Sequence, residues 1–242
     1  MLVCLAVSAA APQEMPPADT ADLEKKVAAS PDDLTARLQL INIYIRRMAM
    51  PMLSTQAEGR KGYLPHVQWL IEHRPEAALP ALPGMAALRP EEADRVLGWW
   101  QAALERRGSE AAVVFNAGNF YGTRDVRKGI ELLKKSRSLG APRAAQALGP
   151  TYFGVFLAAS RPEDAARMHL AADPSLAADV RAELEKSTDT DIYGTTGGWL
   201  VCFDRPAPRA DYVALGKMLV ERALAAEPAN PRWAQAAKCA QK

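Results

Sequence analysis

Residues 211–233 read DYVALGKMLVERALAAEPANPRW, one amphipathic helix followed by the turn AAEPANP. Within it a small residue, Gly216, is followed by an apolar one, Val220, and a small one again, Ala223; Pro228 and the aromatic Trp233 come after. Small side chains at this spacing let a second helix approach closely. Pro228 ends the helix because it has no N–H to donate to the i→i−4 ladder.

The same grammar extends outward from this stretch. RPEEADRVLGWWQAALERRG (89–108) sets Pro90 at a first helical position and Gly108 at the C-cap, with Val96, Trp100 and Ala103 at helical spacing between them. SEAAVVFNAGNFYG (109–122) and TRDVRKGIELLKKSRSLGAP (123–142) form a hairpin that stops at Leu139-Gly140-Ala141-Pro142, and RAAQALGPTYFGVFLAAS (143–160) opens another, with Pro150 predicting a kinked or split helix. Towards the amino terminus, Ser30-Pro31-Asp32-Asp33 reads as a helix start, and Leu34, Leu38, Ile41 and Ile45 share one face of the helix that follows. After Pro51 a helix is predicted from about Gln56 to His73, with Leu64, Val67, Leu70 and Ile71 as its apolar series and a kink or a later start at Pro65. Pro80, Pro83, Gly84 and Pro90 mark residues 79–90 as a hinge. Nowhere does a strand-like alternation persist, so the fold class is all-α.

These segments resemble the tetratricopeptide repeat, over residues 31–78, 91–172 and 190–240. The stretch 211–233 is similar to a second helix of that repeat, and Gly118 with Tyr121, then Leu148, Gly149 and Tyr152, sit at its first-helix small and aromatic positions. Gly118 and Gly149 are 31 residues apart, short of the family's period of about 34. The resemblance implies an α-solenoid of antiparallel hairpins wound as a right-handed superhelix over residues 21–242. It also implies a concave surface lined by first-helix positions, which map to Leu38, Asn42 and Ile45 and to Phe115, Asn116 and Asn119. An asparagine amide both donates and accepts, and so can hold an extended peptide. The lysines that accompany such asparagines in carboxylate-clamping members have no match here.

The 242 residues carry 30 basic and 28 acidic side chains, a net charge of +2 with no long run of one sign, which argues against a nucleic-acid partner and against general attraction to anionic membrane. MLVCLAVSAAA (1–11) is expected to be the end of a secretory signal peptide lacking its basic start, and residues 12–20 a Pro-rich linker. Export to a periplasmic or secreted location follows, or a cytoplasmic one if the apolar run is not a signal. No later stretch reaches the roughly 20 apolar residues of a membrane span. Without Cys4, Cys202 and Cys239 remain. In a solenoid they would fall on neighbouring helices at similar height, where a disulfide can form; two small residues in Ala-rich packing faces is the equal alternative.

Catalytic signatures are absent. His66 and His73 lie seven apart, not at the i, i+4 spacing of a metal pair, and His169 stands alone. The stretch from Asp189 begins like a calcium loop but has Tyr193 at its fifth position and Leu200 at its twelfth, so no metal is expected. The glycines of TTGGW (195–199) have neither P-loop nor dinucleotide spacing, and close helix packing explains them better. No cofactor is called for. The expected function is a scaffold that binds a peptide or protein without catalysis. The alternative is a helical enzyme with a site between the halves flanking residues 79–90, using His66, His73 or His169 with nearby acids.

Overall fold

The structure is a computed structural model that describes residues 20–77, 88–161, 163, 173–203 and 208–241. The expected signal peptide, nearly all of the linker, most of the hinge at 79–90, the stretch around His169 and part of the loop after Phe203 lie outside the described residues. Among the described residues there is no strand. The chain divides into two compact units, residues 1–66 and 67–242.

The first unit contains α1 (Thr20–Ala29), α2 (Leu34–Met48) and the beginning of α3 (Leu53–His73). α2 starts later than Ser30-Pro31 suggests. Residues 31 and 32 form a turn, and Asp33 is the N-cap, its carboxylate accepting from the Ala36 N–H at 2.9 Å. Asp33 wins because its side chain reaches the orphan donors of the first turn while its own backbone stays non-helical. The buried face of α2 is Ala36, Arg37, Leu40, Ile41, Tyr44 and Met48, so of the four apolar residues expected to face the core only Ile41 is fully covered. α3 runs unbroken through Pro65 and begins at Leu53, before the predicted start. A Cβ on Gly62 would collide with the Tyr44 ring, which shows how closely α2 and α3 approach.

The second unit continues with the end of α3, a 3-10 turn at Pro75–Ala77, and α4 (Pro90–Arg107), α5 (Ala111–Tyr121), α6 (Val126–Ser138), α7 (Ala144–Ser160), α8 (Pro174–Lys186), α9 (Thr190–Cys202), α10 (Ala210–Ala226) and α11 (Pro231–Ala240). Contacts run mainly between neighbours in the chain: α4 with α5, α5 with α6, α6 with α7, α7 with α8, and α9 with α10. In addition α9 packs on α7 and on α11. Val96, Trp100 and Ala103 of α4 are fully buried, as are Leu148 and Tyr152 of α7. α7 is one helix despite Pro150. α6 closes with a left-handed Gly140 (φ 89°), whose N–H bonds Arg137 O while the Ala141 N–H bonds Ser136 O. This is the paired arrangement that satisfies a helix's last carbonyls.

Glycines mark the tightest helix contacts. A Cβ on Gly118 would meet Leu133 at 3.0 Å, and one on Gly197 would meet Leu219 at 2.9 Å. A Cβ on Gly216 would lie 2.6 Å from that of Leu200, and Val220 and Ala223 beside it are fully buried. Gly198 is in ordinary contact with Ala236 at 3.5 Å. Cys202, ending α9, and Cys239 of α11 form a disulfide with their Cα atoms 5.0 Å apart.

Candidate functional site

Asn119, near the end of α5, lines a cavity of about 290 Å³ together with Gly122, Thr123, Val126, Ala147, Pro150, Thr151 and Gly154. The walls come from α5, α6 and α7. Close packing at Gly118 and at Gly129, whose Cβ would lie 2.5 Å from Gly122, brings the first two together. The polar groups here are mostly acceptors. Asn119 donates its amide to Phe115 O at 2.8 Å, Thr123 donates to Phe120 O at 2.8 Å, and Thr151 donates to Ala147 O at 2.8 Å. With those hydrogens engaged, the amide oxygen of Asn119 and the two hydroxyl oxygens offer lone pairs. Pro150, also in this wall, has no N–H of its own to add a donor.

The other residues expected to line a groove are placed differently. Asn116, three residues before Asn119, is 4% exposed, and its amide donates to Pro75 O at 2.8 Å and Glu76 O at 3.1 Å. Its donors are spent on holding the 3-10 turn. Arg107 grips the same turn through an ion pair with Glu76 at 2.9 Å. Burial would raise the Glu76 pKa, but bonds from Arg74 and Arg107 outweigh it and hold the carboxyl below its ordinary value. Phe115 is half-buried against the core. Leu38, Asn42 and Ile45 lie in the other compact unit, on a face of α2 where Asn42 is exposed and both apolar residues are half-buried.

A second cleft, of about 330 Å³, opens between α9 and α11. Gly194, Gly198, Trp199, Cys202 and Phe203 form one side, with Arg232, Trp233 and Ala236 opposite. Sequence reasoning missed it, although Thr195 and Trp199 of α9 and Phe203 just after it recur at every fourth residue. Arg232 is engaged: it donates to Thr195 Oγ1 at 2.8 Å, pairs with Asp191 at 3.3 Å and lies over the Trp233 ring. Asp189 caps α9 and pairs with Arg137 at 3.0 Å, so the acids of the calcium-like stretch serve helix ends and ion pairs.

The histidines separate into different environments. His66 is 5% exposed; its Nδ1 lies 3.3 Å from Arg37 Nη1 and its Nε2 3.1 Å from Glu24 Oε1. A guanidinium only donates, so Nδ1 accepts and Nε2 carries the hydrogen given to Glu24. The Tyr44 hydroxyl donates to the same Glu24 oxygen. Burial raises the Glu24 pKa, but the bonds from Tyr44 and His66 prevail and keep it below its ordinary value. Both ring nitrogens of His66 thus have partners within the protein. His73 is exposed, stacked on Trp69 with Nδ1 2.9 Å from Trp69 O, and His169 lies outside the described residues. Among the described residues no group of three or more His, Cys, Asp or Glu side chains is placed to hold a metal.

No family model, no curated protein and no solved structure matches this chain. The geometry of the site alone therefore carries the functional reading.

Proposed function

We propose that the chain is an interaction module built of tetratricopeptide-like hairpins, which receives an extended peptide segment in the α5–α7 groove around Asn119. The observation that carries this reading is the acceptor-rich wall of that groove. An extended strand presents backbone N–H groups every second residue on a side, and the side-chain oxygens of Asn119, Thr123 and Thr151 are acceptors of the kind such donors need. The glycine contacts of α5 with α6 and of α9 with α10 support hairpins of the repeat type. Val126 and Ala147 supply apolar wall between the polar points. An exported protein in an oxidising compartment fits the same reading, since it would keep Cys202 and Cys239 paired.

Selection of peptides from a random display library against the full chain tests the proposal. Binders at the groove should lose about tenfold affinity with Asn119→Ala, which removes one polar partner, while the thermal midpoint stays unchanged. Asn116→Ala should do the reverse, costing about 1–3 kcal/mol of stability because two carbonyls lose their donor. If no selected peptide responds to Asn119→Ala, the groove is not the binding site.

A further inference from the structure

We propose that the turn joining α2 to α3 is a membrane-contact knuckle, which inserts its apolar tip into a bilayer surface carrying anionic headgroups. Residues 49–54, Ala-Met-Pro-Met-Leu-Ser, are all exposed, and the large apolar side chains among them are largely uncovered: Met50 is 51%, Met52 61% and Leu53 79% exposed. A run of consecutive exposed apolar residues is rare on a protein surface without a surface or partner to meet it. The turn is a built feature: Gln56 Nε2 donates to Met50 O at 2.7 Å, and the Gln56 N–H to Met52 O at 3.0 Å. Exposed apolar side chains at a turn can enter a deformable lipid interface without a shaped pocket to receive them.

The charges around the tip select the kind of lipid. Arg46, four residues before Met50, and Lys61, eight after Leu53, are exposed, and Arg60 is half-buried seven after Leu53, hence on the same face of α3. Arg47 is also close, although it bonds Thr20 Oγ1 and lies over the Tyr44 ring. Glu58 is the single carboxylate between residues 45 and 62, and its position five after Leu53 turns it to another side of the helix. At 1.5 Å per residue, Arg60 and Lys61 sit about 10 Å behind the tip. An interfacial element buries its apolar face about 5–10 Å deep, which would put these cations at the level of phosphate headgroups. The near-zero net charge of the whole chain conceals this local excess.

The test uses the full chain with vesicles of phosphatidylcholine alone and of phosphatidylcholine with phosphatidylglycerol. The chain should co-sediment with the anionic vesicles, less so as salt is raised. Met50→Ser/Met52→Ser/Leu53→Ser should reduce binding at least about tenfold with an unchanged circular dichroism spectrum, and Arg46→Glu/Lys61→Glu should reduce it on anionic vesicles. In a Leu53→Trp variant the added indole should shift to shorter emission wavelength on the vesicles. Wild-type chain indifferent to both vesicles, a triple-serine variant that binds like wild type, or an indole that stays in water would each overturn the proposal. Indifference to vesicles would leave a protein partner as the knuckle's occupant.

Discussion

A Cβ built on Gly129 would lie 2.5 Å from both Cα and N of Gly122, where the start of α6 meets the end of α5. Backbone cannot step aside as a side-chain tip can, so Gly129→Ala should destabilise by about 1–3 kcal/mol through overpacking. Gly98 is the contrasting case, an exposed helical glycine with nothing within 4 Å of an added methyl. There alanine should stabilise by about 0.5–1 kcal/mol, because it removes the entropy cost of an interior helical glycine. Urea denaturation of the two variants checks both signs, and equal midpoints would refute the argument. Asn116 and Asn119 show how far such detail is legible in the sequence. Their spacing on one helix suggests a shared role, yet Asn116 is enclosed by the carbonyls of residues 75 and 76 and Asn119 lines a cavity. The difference depends on where a segment some forty residues earlier packs, which helical periodicity does not report.

Among elements, α11 is held to α9 by Trp233, Ala236 and the Cys202–Cys239 bond. Closing a chain segment of 37 residues restricts the unfolded state, and the chain-entropy treatment gives about 3–4 kcal/mol for a loop of that size. We expect Cys202→Ser/Cys239→Ser, or a thiol reductant applied to the wild type, to lower the thermal midpoint, and alkylation followed by mass spectrometry to find both sulfurs protected before reduction. Two freely alkylated thiols in native protein would refute the pairing. The helix ends themselves are largely readable. Pro90, Gly140 and Pro231 act as local stereochemistry requires, whereas α2 begins after Asp33 because a second competent cap stands three residues beyond Ser30. The prolines at 65 and 150 do not end their helices, since packing of α3 and α7 outweighs one missing backbone bond in each.

Over the whole molecule, acid should be the sensitive direction. Ser175, the Leu176 N–H and Arg127 bring Asp173 down to about 2, while Glu24 and Glu76 are held low against their burial by Tyr44 and His66 and by Arg74 and Arg107. A carboxyl whose folded pKa is depressed contributes stability that is present above its unfolded value and lost as pH falls through the folded one. Thermal midpoints should therefore hold steady from neutrality to about pH 5 and decline from there to about pH 2; a midpoint that rises over that interval would contradict the assigned ion pairs. The all-α class and the hairpin punctuation were determined by sequence alone, because helix periodicity and caps are local properties written in neighbouring residues. The division at residue 66, the commitment of both His66 nitrogens, the use of Asn116 as a brace and the cleft between α9 and α11 were decided only by the tertiary structure. Each joins groups far apart in the chain, and such meetings depend on how amphipathic faces are shared among helices, which no single segment specifies.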